Sequence, residues 1–173
     1  GLTSIGQSTF YECFSLDSIN IPSTVTNISD RAFSFCSLRS IEIPANVTNI
    51  DSGAFQYCTT ITSIVVDEKN RVYDSRGNCN ALIETATNTL MVGSANTVIP
   101  EDITSISELA FNGCSGLKSI KIPASVTSIG KDALRGCSGL ISLIVDEGNT
   151  VYDSRDNCNA LIETATNRLM IGC

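Results

Sequence analysis

Histidine and tryptophan are absent from this 173-residue sequence, methionine occurs twice and proline four times. Without histidine there is no imidazole for acid–base work or a catalytic triad, and no Cys-x-x-Cys pair exists to begin a zinc site. A Gly-rich phosphate loop and a metalloprotease signature are missing as well, so the chain reads as non-enzymatic and without a cofactor. Basic residues number 11 against 18 acids and are scattered singly, and a net charge of −7 offers no stripe to a phosphate backbone. Nucleic acid is therefore not an expected partner. Apolar runs such as Leu140-Ile141-Ser142-Leu143-Ile144-Val145 are far too short to span a bilayer, so no membrane-spanning segment is expected.

What the sequence does hold is a repeated unit. Cys, then Leu-x-Ser-Ile-x-Ile-Pro, then Val-Thr-x-Ile, then Ala-Phe reads clearly from Cys114 and returns from Cys13 and Cys36. The cysteines Cys13, Cys36 and Cys58, and again Cys114 and Cys137, are 22 or 23 residues apart. A fixed period of this size predicts a solenoid rather than a globule. Units fall near 13–35, 36–57, 58–90, 91–113, 114–136 and 137–169, within one solenoid domain over 1–173. A second repeat lies over the first, because residues 66–93 return as 145–172, shifted by 79, with 23 of 28 positions identical. Each duplicated segment belongs to an enlarged unit.

Within an ordinary unit, Leu-x-Ser-Ile-x-Ile alternates apolar and polar positions and is β-branched, which predicts a half-buried strand. Strands are expected near 18–21, 40–43, 63–66, 97–99, 119–122 and 142–145, stacked in one parallel sheet. Pro22, Pro44, Pro100 and Pro123 end strands by removing a donor, and Val-Thr-x-Ile predicts a shorter extended piece beyond them. A Ser ahead of Ala-Phe, as at Ser29 and Ser107, suggests about one helical turn. Phe10, Phe33, Phe55 and Phe111, with Leu134 in the fifth place, form a ladder expected in the interior.

The motif Cys-x-x-Leu-x-Ser-Ile-x-Ile-Pro-x-x-Val-Thr-Ser-Ile-Gly-x-x-Ala-Phe resembles the leucine-rich repeats of the BspA-like family over nearly the whole chain. The Val-Tyr-Asp-Ser-Arg-x-Asn-Cys-Asn-Ala-Leu-Ile-Glu-Thr-Ala-Thr-Asn core at 72–88 and 151–167 looks like the elaborated repeat of its bacterial members. The resemblance implies a β-rich α/β leucine-rich-repeat solenoid, a curved right-handed coil with one parallel sheet and short second strands or 3-10 turns opposite. It also implies an extracellular or cell-surface protein, since members are large surface or secreted proteins and several are implicated in adhesion to host matrix proteins or other cells.

In the enlarged units, Ala81-Leu82-Ile83-Glu84-Thr85, Ala86-Thr87-Asn88, then Thr89-Leu90-Met91-Val92-Gly93 reads as a β-hairpin, with Asn88 suited to a left-handed bulge position. A lateral edge is expected there and at Ala160. Five cysteines share one repeat position, where they would stack with parallel Cβ vectors poorly aimed for bridging and act as small buried hydrophobes. Cys158 and Cys173 flank the second hairpin, and a disulfide between them would constrain the chain by about 3 kcal/mol. Its first-copy counterpart pairs Cys79 with Ser94, so a bridge is not required. The sequence begins and ends inside repeat patterns, so residues 1–6 and 170–173 are expected to fray or to pair with a neighbouring molecule.

The candidate site is the open face of the sheet. One column comprises Ser18, Ser40, Ser63, Asn96, Ser119 and Ser142, small and nearly uniform; the next comprises Asn20, Glu42, Val65, Val98, Lys121 and Ile144, which vary from unit to unit. Such a face suits a protein ligand, adhesin-like, such as a host extracellular-matrix or cell-surface protein. A Ser ladder that only keeps the sheet soluble, on a structural stalk displaying another domain, is the alternative. Two further readings rest on the enlarged units. Asp67, Glu68 and Asp74, with Asp146, Glu147 and Asp153, offer carboxylates for glycoside chemistry, though adjacent acids in turns are usually solvated. With Asn70, Asn78, Asn149 and Asn157 they also offer oxygen ligands for calcium-dependent carbohydrate binding, without the spacing of an EF-hand.

Overall fold

The computed structural model describes residues 1–172; Cys173, and with it the proposed Cys158–Cys173 bridge, lies outside them. A solenoid of about six turns with almost no helix emerges, in two blocks. The first runs β1 (Ser4–Ile5), β2 (Asn27–Ile28), β3 (Ser40–Ile43), β4 (Asn49–Ile50), β5 (Ser63–Val66), β6 (Tyr73–Asp74), β7 (Leu82–Glu84) and β8 (Thr89–Val92). The second runs β9 (Ser105–Ile106), β10 (Ser119–Ile122), β11 (Ser128–Ile129), β12 (Ser142–Val145), β13 (Tyr152–Asp153), β14 (Ala160–Glu163) and β15 (Arg168–Gly172).

Each ordinary coil has three sides. On the open face, the alternation in Ser-Ile-x-Ile becomes an exposed–buried pattern, and β3 pairs in parallel with β5, Ser40 opposite Ser63 and Glu42 opposite Val65. β10 and β12 repeat this register, Ser119 opposite Ser142 and Lys121 opposite Ile144. Each proline then turns the chain, its carbonyl accepting the N–H three residues on, as in Pro22 from Val25 at 2.9 Å and Pro123 from Val126 at 3.2 Å. On the second side, β1, β2 and β4 form a parallel sheet from the Val-Thr-x-Ile pieces.

The third side departs from expectation. Ala-Phe is preceded by no helical turn, because Arg31, Leu109 and Asp132 immediately before the pair adopt positive φ, as do Phe35, Gly113 and Gly136 two residues beyond it. Left-handed residues aim N–H groups along the solenoid axis instead of back along a helix. Phe33 therefore donates to the Ala54 carbonyl of the next coil at 2.8 Å, and Phe111 to that of Ala133 at 2.7 Å.

Two expected strands, 18–21 and 97–99, are not formed, so the open-face sheet is two two-stranded ribbons. Segment 18–21 belongs to the first coil and is tied to the next by Arg39 N–H to the Asp17 carbonyl, 3.0 Å. Segment 97–99 is separated from β5 by the enlarged unit: Val98 N–H bonds the Cys79 carbonyl at 3.1 Å, and the Thr97 hydroxyl the Asn80 carbonyl at 2.8 Å.

The first hairpin is not a lateral edge either. β6, β7 and β8 are antiparallel, but β8 continues in parallel onto β9 and then β11, so the hairpin lies within the second-side stack. Its turn holds Asn88 at φ 51°, the left-handed position expected, with Asn167 at φ 55° in the second copy.

The enlarged units also close sheets. The Tyr73 hydroxyl accepts Ile50 N–H at the edge of β4, and the Ser75 hydroxyl accepts Val66 N–H at the edge of β5, 3.0 and 3.1 Å. Tyr152 and Ser154 do the same for Ile129 and Val145 at 3.1 and 3.0 Å. The buried apolar residues divide at this point into two clusters, one of 5–92 and one of 79–161. Phe33 stacks between Phe10 and Phe55 with centroids 5.3 Å away on each side. Of the column cysteines, Cys36, Cys58 and Cys114 are buried and Cys13 and Cys137 partly so; the thiols of Cys36 and Cys58 bond carbonyls of the preceding coil, Phe10 and Phe33, both at 3.1 Å.

Candidate functional site

In the first block the open face forms a groove of about 700 Å³ lined by Ser18, Asn20, Ser40, Glu42 and Val65, with Ile19, Pro44 and Asp67. The two strands fix its floor: alternation buries Ile41 and Ile64 and leaves Glu42 and Val65 outward, side by side. Val65 is 47% exposed, an apolar contact surface among polar neighbours. Ser63 lies half-buried beside Ser40. Glu42 and Asp67 have no ion-pair partner among the described residues, and Asp67 accepts Lys69 N–H at 2.8 Å.

The second block presents the same positions with different chemistry. Lys121 is held by Asp146 at 2.8 Å and faces Glu101 at 3.7 Å. The hydrogen bond from Lys121 is the main reason the Asp146 carboxyl lies below its ordinary range, and that bond likewise raises the ammonium of Lys121. Ser119, Ser142 and the exposed Ile144 surround this pair. Asn96 and Val98 join neither ribbon; Val98 is 72% exposed in the break between them, and the Asn96 carbonyl accepts from Asn80 at 3.4 Å. The expected continuous columns are thus brought together as two separate patches.

The oxygen-rich loops of the enlarged units are engaged internally. Asn70 donates to the Pro44 and Val47 carbonyls at 2.8 and 3.0 Å while its Oδ1 accepts Val72 and Tyr73 N–H, both 2.9 Å. Asp74 holds Arg76 through two bonds of 2.9 and 2.7 Å. Asn149 and Asp153 repeat both roles, and Asn157 is outside the described side chains. Among the described residues no three His, Cys, Asp or Glu side chains are placed to hold a metal ion. The turn that turns Asp67 into the groove was not read as part of the face. Its signal was the Asp67-Glu68 that replaces proline after β5.

A stack of short parallel strands with one open, side-chain-bearing face defines a leucine-rich-repeat solenoid. A BspA-type leucine-rich repeat region, in six copies, matches residues 1–89 and 91–166, and the chain belongs to that family. Among curated proteins none matches. A leucine-rich cell surface protein from Faecalibacterium prausnitzii A2-165 is similar in structure, with 30% identity, a TM-score of 0.69, and coverage of 87% of this chain and 47% of that one. Pneumococcal vaccine antigen PcpA shares the fold at 21% identity and a TM-score of 0.71, over 82% of this chain and 36% of its own. A leucine-rich repeat protein of Eubacterium ventriosum shares it at 22% and 0.51, over 83% and 57%. The chain spans less than half the length of the first two. Among the described residues no helix is long and apolar enough to cross a membrane.

Proposed function

We propose that this chain is an extracellular, adhesin-like protein-interaction module that binds a host or neighbouring-cell protein through the open face of its first block. The observation that carries this is the groove in which exposed Val65 stands beside Glu42 and Asp67, two acids without ion-pair partners. An apolar anchor flanked by uncompensated charge is the arrangement that gives a protein contact both energy and selectivity. The cell-surface nature of the Faecalibacterium relative supports the location.

A stalk that only displays another domain is the second reading, favoured by the neutralised Lys121–Asp146 pair and the closed sheet edges. The two separate in a binding assay of the chain on immobilised extracellular-matrix proteins. Val65→Asp is expected to weaken binding at least tenfold, about 1.4 kcal/mol, while Ile144→Asp leaves it within about twofold. Equal effects of both changes, or no binding to any matrix protein, would favour the stalk.

A further inference from the structure

Where the first block meets the second, the enlarged unit interrupts the bonds that link one coil to the next. On the third side a Phe N–H reaches the Ala carbonyl of the following coil: Phe10 to Ala32 and Phe33 to Ala54 at 2.8 Å, and Phe111 to Ala133 at 2.7 Å. Phe55 is the exception. Its coil lies against residues 110–112, since Tyr57 N–H bonds the Asn112 carbonyl at 3.0 Å, so its partner by the same rule is the Ala110 carbonyl. That carbonyl accepts instead from Gly93, the residue after β8, at 2.7 Å. Phe55 is buried, and its N–H has no acceptor among the described residues.

A second group is stranded at the same place. Asn112 is 6% exposed, and its side-chain Oδ1 is buried without a hydrogen-bond partner among the described residues. Phe55 and Asn112 both line one small void of about 10 Å³, with Ser52 and Gly93 also on its wall.

We propose that this void holds a single buried water, which accepts the Phe55 N–H and donates to Asn112 Oδ1, so that the two blocks are joined through it.

A buried donor or acceptor left unpaired is costly, and here one of each faces the same void. Water satisfies both, because it accepts and donates at once, and the void has room for one molecule. Ser52 supplies a third polar group for its remaining proton. A metal ion does not suit the place: the Phe55 N–H presents positive charge to it, and no carboxylate lines the void. Much of the remaining wall is apolar, Ile61, Val92 and Phe111 among it, so exchange with bulk solvent is slow. Elsewhere in the stack the position is closed without water. Ser34, which like Asn112 stands two residues before a column cysteine, bonds the Gly53 carbonyl of the next coil directly at 3.2 Å.

A high-resolution crystal structure of the whole chain tests this. An ordered water within about 3 Å of both Phe55 N and Asn112 Oδ1 is expected. A void without density, a water touching only one of the two atoms, or an Asn112 side chain turned to a protein donor overturns the proposal. In solution, the Phe55 amide proton is expected to show a nuclear Overhauser cross-peak to the water resonance with the sign of a long-lived contact. Asn112→Leu is close in volume and lacks the acceptor, so it should lose that cross-peak. Slow exchange at the Tyr57 amide, which bonds the main chain of residue 112, shows that the joint is intact in the variant. A cross-peak missing from the wild type, or kept in full by Asn112→Leu, overturns the proposal as well. Should Asn112→Leu lose protection at Tyr57, the wild-type crystal structure and cross-peak decide it.

Discussion

The Tyr73 hydroxyl stands 3.0 Å from the Ile50 N–H, in the place that a carbonyl of one more coil would take on the exposed side of β4. A parallel stack leaves a row of unpaired N–H and C=O groups at each end, and here a phenol from the enlarged unit answers one of the donors. Tyr73 is buried, so removing its oxygen strands a donor that water cannot reach. Tyr73→Phe is expected to lower stability by about 1–3 kcal/mol and to speed amide exchange at Ile50 above all. Tyr152→Phe should act the same way at Ile129. Unchanged exchange at both amides would show that the hydroxyls do not close the edges.

Gly93 and Gly172 occupy one position in the two copies of the enlarged unit and have opposite surroundings. A Cβ on Gly93 would lie 2.0 Å from the Phe111 ring, whereas one on Gly172 meets nothing within 4 Å. Phe111 is fully packed and has no room to retreat. Gly93→Ala is expected to cost about 2–3 kcal/mol and Gly172→Ala almost nothing, measured by urea unfolding. Similar midpoints for the two variants would mean that the blocks do not meet at Gly93.

These two positions also mark how far the sequence could be read. The period, the alternation in Ser-Ile-x-Ile, the proline stops, the Phe ladder and Asn88 in the hairpin turn are local signals, and each reappears in space. The break in the sheet is not local: 97–99 has the residues of a strand, but its partner is displaced by Cys79 and Asn80. Capping by Tyr73 and Ser75 joins groups 23 and 9 residues apart and leaves no periodic trace beyond the Val-Tyr-Asp-Ser at 72–75 and 151–154. The turn before Ala-Phe misled for another reason. Ser29 has a helix-starting residue type, but left-handed Arg31 sends the next donors to the adjacent coil. For the candidate site, both columns were legible as exposed positions, while their division into an acidic groove and a neutralised Lys121 patch needed the register.

The cysteine column makes stability depend on pH in one direction. Burial pushes the Cys58 thiol up to about 12 and that of Cys36 up to about 11, from an ordinary value of 9.0. A group whose folded value is raised gives its full contribution below the unfolded value and loses it as pH rises toward the folded one. The contribution of these two thiols should therefore be flat below about pH 8 and fall from about pH 9 upward. Cys58→Ala should flatten that fall at a cost in packing. In native protein at pH 8, a thiol reagent is expected to reach exposed Cys158 quickly and buried Cys36 and Cys58 only on unfolding. Rapid labelling of Cys58 in folded protein would contradict the column's burial.

Asn70 joins three parts of the first block through one side chain. Its amide nitrogen donates to the Pro44 and Val47 carbonyls of the coil before, and its oxygen gathers the Val72 and Tyr73 N–H groups, which sets Tyr73 under Ile50. Asn70→Ala leaves two carbonyls and two amides without that partner and is expected to cost about 2–4 kcal/mol. Asn70→Asp is the sharper test, because it keeps the acceptor for both amides and alters only the donors. An ionised carboxylate would then point an oxygen at two carbonyl oxygens, and protonation would restore one donor. The folded-state value of that carboxyl is thus raised above its unfolded one, so the deficit of the Asp variant should shrink as pH falls through about 4. Urea unfolding at about pH 7 and pH 3.5, with Asn70→Ala as the pH-independent reference, separates donors from acceptors. A deficit for Asn70→Asp that does not change relative to Asn70→Ala between those pH values would show that the amide nitrogen contributes nothing to the joint between the enlarged unit and the coil before it.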